Sequence, residues 1–105
     1  MKIRLYASGT PLTPARVVRR LVIAPCGDAR AVVRYVTWTA GSPCGVNIEY
    51  KVNNVVVYSR GPVSCNESGT AVTVAPCNGI HQLAAWGCPG CFWGVEVEVE
   101  LDVLD

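Results

Sequence analysis

The sequence predicts an all-β protein, a seven-stranded antiparallel sandwich that is stabilised by disulfides and preceded by an extended N-terminal arm. Short β-rich segments recur at nearly regular intervals, each is bounded by Gly, Pro, Asn or Ser, and no segment has helical periodicity. The chain has 105 residues, of which 50% are apolar and 16% are charged. This size and composition are typical of one compact domain.

The first 14 residues are predicted to form the arm. Residues 2–7 (KIRLYA) have the composition of a short strand, whereas residues 8–14 (SGTPLTP) contain a glycine and two prolines and cannot continue it. The sandwich domain is expected to span residues 15–105.

Seven further strands are predicted at residues 15–24, 30–40, 46–52, 55–59, 70–75, 81–86 and 92–103. In the last of them every second residue from Val95 to Val103 is Val or Leu and the residues between are acidic, so one face is apolar and the other is charged. The pairs Asn53-Asn54 and Asn78-Gly79 each predict a two-residue hairpin turn between the flanking strands.

This number of strands and this placement of turns resemble the immunoglobulin and fibronectin type III sandwiches, over roughly residues 15–103. The resemblance concerns architecture alone. It implies two antiparallel sheets packed face to face, and it implies no particular activity.

The directions of the strands restrict how the six cysteines pair. If consecutive strands alternate in direction, Cys26 and Cys77 lie at one end of the sandwich and the other four cysteines lie at the opposite end. The two ends of a ten-residue strand are about 30 Å apart, whereas the Cα atoms of a disulfide lie within about 7 Å. We therefore predict the pair Cys26–Cys77. Among the other four cysteines, the favoured pairs are Cys44–Cys65 and Cys88–Cys91. The sequence leaves open a different pairing among these four.

Two other roles for the cysteines compete with disulfides. Cys77 and His81, followed by Cys88 and Cys91, supply three thiolates and an imidazole, the tetrahedral set that zinc prefers. The predicted strand between His81 and Cys88 separates these ligands, which favours disulfides and no metal. The motif Cys88-Pro89-Gly90-Cys91 also matches a redox pair, but such pairs need a helix N-terminus, and no helix is predicted.

Charge is divided unevenly along the chain. Residues 1–60 hold all nine cations against Asp28 and Glu49, and residues 61–105 hold six acids and no cation. The net charge of +1 gives no basic footprint for nucleic acid. The acids Glu96, Glu98, Glu100 and Asp102 are expected to meet cations. The candidate cations, which lie at even spacing on the first two strands of the sandwich, are Arg16, Arg20, Arg30 and Arg34. The sequence leaves open whether these ion pairs form between copies of the protein or within one chain.

Aromatic side chains cluster near the end that carries four cysteines. Trp38, Trp86 and Trp93 are expected there either as core residues beside the disulfides or as an exposed platform that stacks on sugar rings or anchors a partner. His81 has no neighbouring nucleophile or acidic partner in the sequence, so no catalytic residue and no cofactor is predicted. The predicted interface comprises Lys2, Ile3, Arg4, Leu5, Tyr6, Arg16, Arg20, Trp38, Trp86, Trp93, Glu96, Glu98 and Glu100.

Location is predicted from the cysteines and from the start of the chain. No run approaches the roughly 18 apolar residues that cross a membrane, and the N-terminal residues lack the apolar segment of a secretory signal. Disulfides without a signal are expected in a virion protein or, alternatively, in the cytoplasm of a hyperthermophile.

These observations together predict a non-enzymatic structural subunit of an external assembly, whose partners are its own copies or another structural protein. A sandwich with an N-terminal arm resembles phage capsid decoration and tail proteins. The alternatives are a pilus or filament subunit that assembles by strand addition and a carbohydrate or cell-surface binding module. Binding to nucleic acid and insertion into a membrane are not expected.

Overall fold

Eight β-strands form the two sheets of the computed structural model, which describes residues 2–9, 17–23, 26–38, 45–63, 66–87 and 93–103. The strands are β1 (Lys2–Gly9), β2 (Val17–Ile23), β3 (Asp28–Trp38), β4 (Val46–Val52), β5 (Val55–Val63), β6 (Ser68–Pro76), β7 (Gly79–Gly87) and β8 (Trp93–Val103). The all-β prediction is confirmed, and the predicted strands are present with bounds shifted by a few residues at most places. The largest change is in β5, which continues to Val63 through part of the expected loop.

The strand order is that of a jelly roll. Sheet A has the order β1-β8-β3-β6 and sheet B has the order β2-β7-β4-β5, and all strand pairs are antiparallel. Among the described strands, β4 and β5 are the only consecutive pair that lies in one sheet. Every other connection crosses between sheets, which is the double Greek-key pattern of jelly rolls. Immunoglobulin sandwiches instead place their first, second, fourth and fifth strands in one sheet.

Two expectations about the strands are corrected by this order. The sandwich has eight strands in the described residues instead of seven, because β1 pairs along its whole length with β8. Asn53-Asn54 makes the predicted hairpin, with positive φ of 51° and 65° as that turn requires. Asn78-Gly79 does not, because β6 lies in sheet A and β7 lies in sheet B. The same turn residues thus carry the chain from one layer to the other.

The core lies between the inner faces of the two sheets. Alternation along each strand places the apolar residues inside, as in β8, where Val95, Val97 and Val99 are fully buried. They meet the inner faces of β4 and β7, where Ile48, Leu83 and their neighbours belong to the same buried cluster. Strand β1 contributes to this core and is part of the sandwich.

A disulfide and a buried polar network fasten one end of the sandwich. The predicted bond Cys26–Cys77 is present, with Cα atoms 5.5 Å apart. The carbonyl of Cys77 accepts a hydrogen bond from Nε2 of His81 at 2.7 Å, and Tyr50 Oη lies 2.6 Å from Nδ1 of His81. Since a carbonyl only accepts, Nε2 carries the proton, and in the tautomer protonated at Nε2 the Nδ1 atom accepts a hydrogen bond from the Tyr50 hydroxyl. The disulfide closes a loop with a sequence separation of 51 residues, which in the chain-entropy model stabilises the fold by about 4 kcal/mol.

Replacing Tyr50 with Phe tests this network. The substitution leaves Nδ1 of the fully buried His81 without a donor, and an unsatisfied buried acceptor costs about 1–3 kcal/mol. We expect the urea midpoint of Tyr50→Phe to fall accordingly. Tyr58→Phe is the matched control, since Tyr58 lies opposite Tyr50 in the β4–β5 pair. Equal midpoints for the two variants would contradict the network.

The same tyrosine makes a prediction for alkaline pH. Burial raises the pKa of Tyr50 to about 12, against 10.0 for an ordinary tyrosine. As the pH rises, Tyr50 therefore ionises in the unfolded chain before it ionises in the folded protein. Its contribution to the free energy of unfolding is fully present below pH 10 and is lost as the pH rises from about 10 through about 12. Tyr50→Phe should lose less stability than the wild type over this interval.

Candidate functional site

The outer face of sheet A carries an acidic stripe with a basic strand on either side. Strand β8 points Glu96, Glu98, Glu100 and Asp102 outward, and it lies between β1 and β3. Register places Arg4 and Arg34 directly opposite Glu98, one on each side. Cations thus line both sides of the stripe.

Glu98 is the centre of this charge network. Its carboxylate lies 2.9 Å from Nε of Arg4, 3.7 Å from Nη1 of Arg34 and 3.8 Å from Nζ of Lys2. The hydrogen bond from Arg4, with the positive charges of Lys2, Arg4 and Arg34, holds the pKa of Glu98 below its ordinary value against an opposing effect of desolvation. The carboxylate therefore stays ionised to a lower pH than an ordinary glutamate does.

The neighbouring acids on β8 are paired in the same way. Glu100 lies 3.4 Å from Arg34 and 3.7 Å from Lys2, and Asp102 lies 3.2 Å from Arg30. Of the two arrangements left open by the sequence, the structure has the contact within one chain for Arg30 and Arg34. Arg20 lies on sheet B and donates to Gln82 at 2.9 Å, and Arg16 lies outside the described residues.

The three tryptophans occupy three different layers. Trp93 is 3% exposed and lies against Gly87 of the opposite sheet, where a Cβ atom would come within 2.2 Å of its indole. Trp86 alternates with buried residues on β7, and so it lies on the outer face of sheet B. Trp38 lies on the outer face of sheet A, half-buried. The expected cluster of three is therefore not a single platform.

Trp38 instead pairs with Tyr6, across β8. Their ring centroids are 5.3 Å apart and their planes are tilted by 44°. The contact is diagonal, because Trp38 lies opposite Gly94 of β8 and Tyr6 lies opposite Glu96. A Cβ atom at Gly94 would lie 2.3 Å from Nε1 of Trp38. The absence of a side chain at Gly94 lets the indole lie on the strand and reach Tyr6, which is 69% exposed.

A shallow depression lies beside this aromatic pair. Its volume is about 170 Å³, and the residues that line it are Arg34, Tyr35, Val36, Glu96 and Glu98. Glu96 is directly opposite Tyr6 on β1 and Val36 on β3. Since neither neighbour is charged, Glu96 has no ion pair or hydrogen bond with any described residue, unlike the other acids of β8.

The edges of the sheets form a second candidate surface, because edge strands expose unpaired backbone groups. Strand β1 carries Lys2 and Arg4, and β2 carries Arg19 and Arg20, so one side of the sandwich is basic. Strand β5 is interrupted by shifts in its register with β4. Charge and irregularity are the usual devices that prevent edge-to-edge pairing.

Strand β6 lacks both devices. Its sequence, SGTAVTVAP, has no charged residue, and it pairs with β3 without a shift in register from Ser68 to Pro76. Val72 and Val74 on its outer face are 62% and 61% exposed. The sequence showed the valines, but it did not show that β6 is an edge strand, which depends on the strand order.

Several predicted site residues are core residues or lie outside the described ranges. Ile3 and Leu5 are buried against the interior. The other four cysteines, Cys44, Cys65, Cys88 and Cys91, lie outside the described residues, and so does the redox motif between the last two.

The zinc alternative conflicts with the structure. Cys77 is bonded to Cys26, and both ring nitrogens of His81 are engaged in hydrogen bonds. Two of the four proposed ligands are therefore committed elsewhere. In the described ranges no group of three or more His, Cys, Asp or Glu side chains is arranged to hold a metal ion.

Comparison with known proteins assigns this chain to no family. Neither a scan against protein-family models nor a search of curated proteins finds a match for this sequence. In the described part of the chain, no helix has the length and apolar character to cross a membrane.

Glu98→Gln tests the charge network. The lowered pKa of Glu98 means that its contribution to stability is complete above the ordinary carboxyl pKa of 4.5 and is lost as the pH falls through the lowered value. We expect the urea midpoint of the wild type to fall on acidification through this interval, and that of Glu98→Gln to fall less. Glu96→Gln is the matched control on the same strand. The network would be contradicted if both variants responded to pH as the wild type does.

Proposed function

We propose that this protein is a non-enzymatic structural subunit of an assembly outside the cell, with a virion component, such as a capsid decoration or tail protein, as the leading identity. The observation that supports this proposal is strand β6, an uncharged edge with exposed valines on a sandwich whose other edges are protected. An edge of this kind is a template for pairing with another chain. The partner we propose is a second copy of the same protein.

The charges favour β6 over the opposite edge as the contact. Two copies that met through β2 would bring Arg19 and Arg20 together with their own counterparts, and like charges repel. Glu98 and Glu100 are paired within the chain with Lys2 and Arg4 of β1, and so they are not available to neutralise the arginines of a second copy. Contact between opposite charges, which the sequence left open, is therefore not the basis of the proposed assembly.

Two β6 strands fit together about a two-fold axis. Val72 is the central residue of Ser68–Pro76, so antiparallel pairing centred there places Val72 opposite its own copy and Thr70 opposite Val74. The side chains of directly opposite residues share one face, and valines would therefore meet valines and threonines on the outer face. The result is one continuous eight-stranded sheet, and an isologous contact of this kind is the commonest in soluble oligomers.

The fold and the disulfide support an external role. Jelly rolls occur in viral capsid proteins and in lectins, although a shared fold does not by itself give a function. A disulfide such as Cys26–Cys77 persists in oxidising surroundings, virion surfaces included. The resemblance to phage decoration proteins, which the sequence suggests, is part of this proposal.

A pilus or filament subunit is the second candidate, and strand β1 favours it. This strand forms eight paired positions with β8 and buries Ile3 and Leu5. The same ladder forms if β1 is donated to the β8 of a neighbouring copy, so strand exchange adds no new contact. If polymers form in this way, an excess of a peptide of residues 2–9 should compete with the donated strand for β8 and shorten the polymers, whereas assembly through β6 should not respond to the peptide.

Charge substitutions at Val72 test the contact through β6. Near a two-fold axis each residue meets its own copy, so Val72→Lys and Val72→Glu each introduce repulsion between like charges. We expect the wild type to be dimeric or larger by light scattering, each variant alone to be monomeric, and an equimolar mixture of the two to associate again. The association of the wild type should change little with added salt, because no charge pair holds it.

The matched control for this experiment is Val22→Lys. Val22 is 73% exposed and lies on the outer face of the edge strand β2, so the substitution adds the same charge away from the contact and should leave the association intact. A wild type that stays monomeric at every concentration, or Val72 variants that associate as the wild type does, would contradict the proposal.

A further inference from the structure

The aromatic pair Tyr6–Trp38 and the depression beside it combine three kinds of group. The aromatic pair offers an exposed ring surface, Glu96 offers a carboxylate that is unpaired among the described residues, and Arg34 offers N–H groups. Both ion pairs of Arg34 with β8 acids run through Nη1. Its guanidinium has five N–H donors in all, so donors remain beyond those two contacts.

We propose that this surface binds a pyranose ring of a neutral carbohydrate. A pyranose has a face of C–H groups, which packs on an aromatic ring, and a rim of hydroxyls, each of which both donates and accepts hydrogen bonds. A carboxylate only accepts and a guanidinium only donates. Glu96 and Arg34 therefore complement neighbouring hydroxyls on one ring, while Trp38 or Tyr6 supports its C–H face.

The size of the depression agrees with a single ring at the surface. Its volume of about 170 Å³ is below the roughly 300–1,000 Å³ of pockets that enclose drug-sized ligands. One residue of a longer glycan can lie in it while the rest of the glycan extends over the sheet. We expect weak affinity for one ring and stronger binding where several copies of the protein engage one polymer.

A cationic ligand fits the same surface less well. An unpaired carboxylate beside aromatic rings is also the pattern that attracts an ammonium group. Here, however, Arg34 also lines the depression, and a guanidinium only donates hydrogen bonds. An ammonium group offers no acceptor to Arg34, whereas a sugar hydroxyl does.

Gly94 is the positioning residue of the surface. Its missing side chain lets the Trp38 indole lie on β8, and a Cβ atom would approach Nε1 of Trp38 to 2.3 Å. Gly94→Ala must therefore displace the indole from its position beside Tyr6. The substitution changes no group that would contact the sugar.

Binding of linear hexasaccharides of glucose, mannose, galactose and N-acetylglucosamine tests the proposal, with titration calorimetry as the readout. We expect at least one hexasaccharide to bind, with an affinity that is unchanged by salt. Trp38→Ala, Glu96→Gln and Gly94→Ala should each weaken it about tenfold or more, which corresponds to about 1.4 kcal/mol. Trp86→Phe is the control on the other sheet and should bind as the wild type does.

Each outcome of this experiment decides the proposal. Saturable binding that is lost in Glu96→Gln, an exposed position where the fold is expected to persist, supports it. No binding of any of the four hexasaccharides, or binding that survives both Trp38→Ala and Glu96→Gln, overturns it. The substituted residues lie on β3 and β8, whereas the proposed contact between copies uses the edge of β6, so light scattering on the same variants reports separately on assembly.

Discussion

The alternation along β8 is the constraint on which the rest of the structure depends. Its inner face supplies Val95, Val97 and Val99 to the core, and its outer face places acids about 6.6 Å apart along one strand. Such a stripe repels itself unless cations lie on both sides. The pairing with β1 and β3 supplies those cations, and a slip of one residue in either register would expose the valines and bury the charges.

Much of this fold follows from the sequence, because strand periodicity and turn residues act locally. The strand bounds, the Asn53-Asn54 hairpin and the Cys26–Cys77 bond were all predictable, the last because strand direction alone separates the two ends of a sandwich. Periodicity tells which residues face inward. It does not tell which sheet a strand joins, and so Asn78-Gly79 was expected to make a hairpin that the jelly-roll order excludes.

The candidate sites were less predictable for the same reason. The three tryptophans lie near one end of the sandwich, as the sequence indicates. They nevertheless lie in three layers, because each layer depends on the sheet that a strand joins and on the face on which its residue lies. Tyr6 meets Trp38 only because β1 and β3 lie on either side of Gly94. The uneven distribution of charge was visible, yet pairing within the chain depends on β8 lying between two basic strands, which no local pattern specifies.

The proposed assembly rests on the difference between the edges of one sandwich, and hydrogen exchange measures that difference directly. Contact between copies through β6 predicts that the backbone amides of residues 68–76 exchange more slowly as the protein concentration rises, while those of β2, residues 17–23, exchange at a constant rate. Exchange in β6 that is independent of concentration, or protection that appears at β2 instead, would contradict the proposal that β6 is the assembling edge.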